Sequence, residues 1–539
     1  MKKIASILIL AAASMAVMAV PARRDGFVRI GADGTEKMVW QHGNEDFHYM
    51  TDAEGNWLDE ETLVPLTEAQ KSERLQMKER AIRRAAQQQM TAIPLNVAPR
   101  GLIILVNFQN MAFVTPYDTM NNMMNGTNFT RHFDYSYDYS GRQYEGTVNS
   151  SGSARQYFID QSYGQYQPVF DVVGPYTVSQ NYEYYGKNTS SGGISSAVGT
   201  MIKEACQLAD QNGTDFTLYD NNNDGKVDFV YVIYAGEGEA DGGGANTIWP
   251  HAYSLSGWGI SCIVDGKTVT NYACSNEMNH YAGVYSGIGT FVHEFSHVIG
   301  LPDLYATNDA NHKTCGQWDI LDYGPYNNEG NTPPGYTAYE RFFCGWLTPR
   351  VLSQAENTTL QTIDNQEALL LCSGDTHNLV GNDPNPTTFY LLEARTQTGW
   401  DEFIPGEGMM ITKITYNYNT WYMNEVNNSA NSMGVDILEA DGKAPSYVKG
   451  LDNGYKGKPT DLFPAGATEW TAFANHEITE ITKDADGTIH FKYRGGSTTE
   501  IENIQNSETS VQKILKDGRV YILRGGKTYD ILGHENHQL

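Results

Sequence analysis

The stretch Gly287–Tyr305, GIGTFVHEFSHVIGLPDLY, decides how this chain is read. His293 and His297 stand four residues apart, so on a helix both imidazoles leave one face and can reach a single Zn²⁺ at about 2.0–2.1 Å. Glu294 lies beside them. From there its carboxylate can take a proton from a water on the metal as that water attacks a peptide carbonyl, and hand it to the leaving amine. Ile288, Phe291, Val292, Phe295, Val298 and Ile299 give such a helix the apolar flanks it needs for burial. Gly300 lets the helix end, and Pro302 just beyond lets the chain turn back so that Asp303 can supply a third ligand. Oxygen from Asp is an ordinary zinc donor. The full spacing, HExxHxxGxxD, is much more specific than a bare HExxH.

Outward from this helix, Gly101 to Leu347 alternates apolar strands such as Leu102–Val106 with helical stretches, which predicts one large mixed α and β domain. After Thr348 short strands follow, among them Phe389–Glu393, Met409–Ile414 and His490–Tyr493, set between Gly, Asn, Asp and Pro. They predict a predominantly β module ending near Gly496. A polar linker, Ser497–Ser510, leads to a tail whose Asp517-Gly518 and Gly525-Gly526 turn signals would fold Val511–Leu532 into a small β meander.

On the amino-terminal side, a strand-and-turn region at Asp46–Leu58 precedes Glu68–Gln89, a charged run without Pro or Gly that predicts a helix. Arg80, Arg83 and Arg84 cluster ahead of the strand Leu102–Val106, as a propeptide linker would present them to a processing protease. Met1, Lys2 and Lys3 open the chain, and the uncharged, mostly apolar run Ile4–Val20 follows with Val17 and Ala19 at −3 and −1 of a cut. That is the pattern of a secretory signal; the alternative is an uncleaved amino-terminal anchor. No later stretch offers the roughly 18 apolar residues of a membrane-spanning helix. The expected organisation is therefore 1–19 signal peptide, 20–99 propeptide, 100–347 catalytic domain, 348–496 β-rich module and 497–539 linker and β tail.

The chain has 539 residues, 40% of them hydrophobic, with 53 Gly and 19 Pro, which excludes collagen-like and wholly disordered classes. Sixty-four acidic against 37 basic residues give a net charge of −27, which repels phosphate backbones and argues against nucleic acid as a partner. Six cysteines are too few for a disulfide scaffold and show no zinc-knuckle spacing. Asp220, Asn222, Asp224, Gly225 and Asp228 reproduce positions 1, 3, 5, 6 and 9 of an EF-hand-like loop, and Lys226 could add its carbonyl. These donors suit calcium, against the plain reading of an Asn/Asp-rich turn. The glycine-rich run near Glu237 and Glu239 reads as a loop, and His251 as structural.

The zinc spacing is similar to the extended metzincin pattern, with Asp where His is commoner. Trp318–Tyr323 then corresponds to the methionine turn beneath the metal, with Leu321 in the methionine place and Tyr323 as a candidate donor to the oxyanion of the tetrahedral intermediate. With SARQYFIDQSYGQY (Ser153–Tyr166), DNNNDGKVDFVYVIYAGEGEADGG (Asp220–Gly243), GQWDILDYG (Gly316–Gly324) and YTAYERFFCGWLTP (Tyr336–Pro349), the chain resembles the immune inhibitor A family of secreted bacterial zinc metallopeptidases over about residues 100–495. The resemblance implies an α+β, metzincin-like zinc peptidase domain with a mixed sheet and an active-site helix, followed by a β-rich module. It implies zinc on His293, His297 and Asp303, Glu294 as general base, protein or peptide substrates, and a cleavable propeptide. Ser296 stands where the family usually has Gly, and Leu321 departs in the methionine turn. Asp517–Gly533 looks like the end of the carboxy-terminal sorting domains read by a type IX secretion machinery, which implies a secreted or surface protein of a Gram-negative bacterium. The competing function is an adhesin that keeps the metal on a peptidase scaffold without catalysis.

Overall fold

The computed structural model describes residues 14–15, 18–23, 26–31, 33–85, 90–91, 98–139, 142–189, 192–279, 284–310, 312–443, 456–496, 512–516, 519–524 and 527–529. Most of the expected signal segment and the linker Ser497–Ser510 lie outside the described residues. The chain forms two compact units, Met1–Gly495 and Gly496–Leu539.

At the centre of the first unit is a five-stranded sheet in the spatial order Val169–Thr177, Arg100–Asn107, Val230–Glu237, Asn271–Met278 and His251–Ser254. The first four strands run parallel, and His251–Ser254 closes the edge antiparallel. Parallel strands covered on both faces read as unbroken apolar runs, which is why Leu102–Val106 carries no polar alternation. The pleat divides that run between two cores. Leu102, Ile104 and Val106 pack with Val198, Met201, Ile202 and Ala205 of the helix Ala197–Gln211. Ile103 and Leu105 face the opposite layer, where Phe291 and Phe295 of the helix Gly289–Val298 meet Phe170 and Phe229.

That second helix is buried along its length except at Thr290, with His293, Glu294, Ser296 and His297 among its buried residues. Gly289 permits its entry, because a Cβ there would stand 2.0 Å from the Pro325 carbonyl oxygen. Gly300 ends it at φ +101°, a conformation that costs a side-chain-bearing residue dearly, and the chain reverses into Leu301–Tyr305.

The β module contains a five-stranded sheet ordered Arg350–Val351, Leu369–Cys372, Thr388–Arg395, Gly408–Thr415 and Val435–Ile437, and a three-stranded sheet of Glu356–Leu360, Ile489–Tyr493 and Ile478–Lys483. Its residues Leu370, Phe389, Met410 and Val435 belong to the same core as the helix Gly289–Val298. Upstream, Phe27–Ile30, Glu36–Gly43, His48–Thr51 and Trp57–Leu58 form an antiparallel sheet, followed by the helix Glu68–Ala85. The second unit shows three antiparallel strands, Gln512–Lys516, Arg519–Arg524 and Lys527–Tyr529. Among the described residues no helix is long and apolar enough to cross a membrane. All six cysteines are buried with free thiols.

Candidate active site

The helix Gly289–Val298 and the turn after it bring His293, His297 and Asp303 together. Their ligand atoms lie 3.1 Å (His293 Nε2 to His297 Nε2), 3.2 Å (His293 Nε2 to Asp303 Oδ1) and 3.3 Å (His297 Nε2 to Asp303 Oδ1) apart. A tetrahedral ion with bonds of 2.0–2.1 Å requires about 3.3 Å between neighbouring ligand atoms. The outer ring nitrogens fix the protonation. His293 Nδ1 meets the Ile320 carbonyl at 2.7 Å and His297 Nδ1 the Leu301 carbonyl at 2.8 Å. A carbonyl only accepts, so each Nδ1 carries the proton, and each neutral ring turns an Nε2 lone pair toward the common point. Asp303 Oδ1 is buried without a hydrogen bond, so the donor set fits a cation on all three counts.

Asp303 is aimed from the β module. The Asn424 side-chain amide donates to Asp303 Oδ2 at 2.6 Å, and its carbonyl oxygen accepts the Asp303 N–H at 2.7 Å. Asn427 and Asn428 tie down the same loop through Leu304 and Asn308. The sequence reading missed Asn424, which lies 121 residues from its partner in a segment without a motif.

The departures from the resembled pattern are packed. The Ser296 hydroxyl donates to the Val292 carbonyl and meets the Tyr336 hydroxyl. Leu321 is fully buried in the core around the helix. Tyr323 is buried against Tyr326, with ring centroids 5.1 Å apart.

The cleft over this site holds the chain's own amino-terminal segment. Met18 pairs antiparallel with Ala252 of the edge strand His251–Ser254, and Met18 to Arg23 are all buried. The Val20 N–H donates to Glu294 Oε1 at 2.9 Å, and the Tyr305 hydroxyl donates to the Ala19 carbonyl at 2.8 Å. Trp249 Nε1 donates to the Val20 carbonyl, the Tyr326 hydroxyl to the Pro21 carbonyl, and Arg23 pairs with Asp241 and Glu329. Glu294 Oε2 is buried without a partner, and burial pushes the Glu294 carboxyl well above its usual range against the pull of the Val20 amide.

Comparison with known proteins bears on this arrangement. Residues 96–346 match the family model described as immune inhibitor A peptidase M6, catalytic domain. This stretch is similar to an M6-type peptidase catalytic domain. The pre-pro-metalloprotease PrtV of Vibrio cholerae serotype O1 (strain M66-2) is 26% identical over 250 residues, 40% of this chain and 27% of that protein. Immune inhibitor A of Bacillus thuringiensis subsp. alesti is 24% identical over 218 residues, 35% of this chain and 31% of that protein. The matches thus span about a third or less of the length of these relatives. The M6 match contains the three ligand-type side chains and Glu294, whereas Asn424 and the segment Met18–Arg23 lie outside it.

Outside the M6-type centre, the calcium expectation meets a different geometry. Asp220 Oδ1 and Oδ2 accept the N–H groups of Asp224 and Gly225, and the Lys267 ammonium sits 2.6 Å from Asp220 Oδ2. Asn222 accepts the Asp224 N–H, Asp224 the Lys226 N–H, and Asp228 the Asn221 N–H. The loop thus satisfies its donors internally, with a lysine on the first carboxylate. Among the described residues, two trios of His, Cys, Asp or Glu have ligand atoms within 4.8 Å of one another, and neither includes the loop. His251 is buried with Nδ1 on the Trp249 carbonyl and Nε2 on the Tyr272 hydroxyl.

Proposed function

We propose that this chain is the precursor of a zinc-dependent endopeptidase, exported from the cell, with His293, His297 and Asp303 as metal ligands and Glu294 as general base. One observation carries the reading: three lone-pair donors converge at tetrahedral spacing while the adjacent Glu294 carboxylate contacts a backbone N–H lying across the site. Zinc, when bound there, supplies Lewis acidity toward water and the peptide carbonyl. Glu294 holds the proton taken from the attacking water and returns it to the departing nitrogen, an atom its Oε1 already contacts in Val20. The edge strand His251–Ser254 orients an extended chain through main-chain hydrogen bonds, as it does Met18. In the latent chain Val20 and Ala22 pack on Trp249, so this wall of the cleft is apolar.

The reading extends to latency. In the full-length chain Met18–Arg23 fills the cleft; Met18 and Ala19 belong to the expected signal segment and Val20–Arg23 open the propeptide, so latency lasts until the propeptide is removed. Protein or peptide chains are the substrates, and the carboxy-terminal strands are an address for a secretion machinery of a Gram-negative cell. The adhesin alternative loses its ground where Ser296 and Leu321 pack without displacing a ligand-type side chain.

The test is the purified, processed protein assayed on casein with metal analysis, beside Glu294→Ala. The expected outcome is about one zinc per chain in both proteins, with activity lower by roughly 10²–10⁴-fold in the variant. Equal inertness of both with zinc bound would overturn the enzymatic reading.

A further inference from the structure

Two side chains grip opposite ends of a single peptide bond in the cleft. Glu294 Oε1 accepts from the nitrogen of the Ala19–Val20 bond at 2.9 Å, and the Tyr305 hydroxyl donates to its carbonyl oxygen at 2.8 Å. The segment carrying that bond is extended and continues the sheet beyond its edge strand, through two backbone hydrogen bonds between Met18 and Ala252. A bond held this way stands in for a substrate's peptide bond in the cleft. The base stands at the nitrogen that leaves, and a donor stands at the oxygen that gains charge.

We propose that Tyr305 is a catalytic residue of this site, donating its hydroxyl hydrogen bond to the carbonyl oxygen of the peptide bond under attack. The inference rests on the peptidase reading above and adds to it the group that receives the developing oxyanion. As the water oxygen bonds to the carbonyl carbon, the π pair moves onto the carbonyl oxygen and Glu294 takes the water's proton. The bond to nitrogen then breaks, its electron pair stays on nitrogen, and that nitrogen takes the proton from Glu294. The products are a carboxylic acid and an amine, and the Tyr305 proton remains on Tyr305 throughout. Tyr305 follows Asp303 by two residues, so the turn that aims the ligand also fixes the phenol, and Asn427 holds the intervening Leu304 carbonyl at 2.8 Å. The ring of Tyr323, the tyrosine singled out from the sequence, lies 5.1 Å from that of Tyr326.

The experiment compares wild type, Tyr305→Phe, Tyr305→His and Tyr323→Phe. The processed forms are assayed on a fluorogenic peptide with zinc content measured. The full-length chains, produced in the cytoplasm so that residues 1–19 are kept and then stripped of metal, are followed by amide hydrogen exchange of residues 18–23. Tyr305→Phe is expected to lower kcat by roughly 10²–10³-fold, with KM within threefold and zinc unchanged. Tyr305→His, which keeps a donor, is expected to recover part of kcat. In the metal-free chains, exchange in the segment is expected to rise at least fivefold for Tyr305→Phe and to stay level for Tyr323→Phe. A kcat for Tyr305→Phe within threefold of wild type overturns the proposal, as does transfer of the loss to Tyr323→Phe. If wild type itself is inert with zinc bound, the peptidase reading fails. The metal-free exchange then decides whether Tyr305 clamps the carbonyl at all, and unchanged exchange overturns that too.

Discussion

His293, His297 and Asp303 form one trio of ligand-type side chains and His48, Glu60 and Glu239 another, each with ligand atoms within 4.8 Å of one another. Their surroundings differ in charge. In the second trio, the Arg74 guanidinium lies 3.2 Å from Glu60, Asn188 donates to Glu239 at 2.7 Å, and Arg29 sits in the field of Glu60, Glu239 and Glu237. His48 Nδ1 faces the Asn44 carbonyl and its Nε2 lies 3.0 Å from Glu239 Oε1, so both ring nitrogens face acceptors. Here the protein supplies the cations itself. In the first trio both outer nitrogens are also on carbonyls, but the inner ones face each other and one carboxylate oxygen, Asp303 Oδ1. Similar donors at similar spacing therefore call for different things. One trio is balanced by its neighbours, and the other asks for an ion.

The contrast can be broken most sharply by deleting one imidazole from each trio. His297→Ala is expected to lose the zinc and with it all measurable peptidase activity, whereas His48→Ala keeps about one zinc per chain; metal analysis after gel filtration checks both. Retained zinc in His297→Ala would remove the distinction. Next in size is Asn424→Ala, which leaves every ligand in place but frees Asp303, and should weaken zinc affinity about 10–100-fold in a competition titration with a chelator.

The second trio should answer to pH instead of metal. Burial works against a charged His48, but the Glu239 carboxylate overrides it and raises the imidazole above its usual value of 6.5. A raised folded-state value means that the stabilisation is complete below 6.5 and is lost as pH rises through the folded value. Thermal melts of full-length protein should therefore fall as pH climbs from about 6.5, and His48→Asn should flatten that slope. The smallest effect is expected at Leu321. Met has nearly the volume of Leu, so Leu321→Met should shift stability by less than about 1.5 kcal/mol and leave kcat within threefold.

What the sequence could tell follows from how far apart the cooperating residues lie. Histidines on one helix face and an aspartate beyond a glycine turn are local geometry, and the observed distances agree with that spacing. The apolar run Leu102–Val106 likewise announces a strand covered on both faces. Asn424 left no trace, because an asparagine acquires its role only when folding carries it across 121 positions. Tyr305 sat in plain view two residues past the motif, and only the carbonyl it touches distinguishes it from the other tyrosines. The Asp220–Asp228 loop shows the reverse case. Its acidic residues match a cation site by position, yet an Asx-rich turn uses the same oxygens for its own N–H groups, and pattern alone does not choose between them.

The grip of Asn424 on Asp303 also bears on how this chain can be handled in the laboratory. The stretch recognisable by family ends at residue 346, and a protein engineer guided by it would order a gene ending there. Such a fragment would carry every residue of the signature and none of the side chain that steadies its third donor, so a poor yield of loaded protein would report a misplaced stop codon rather than a dead active site.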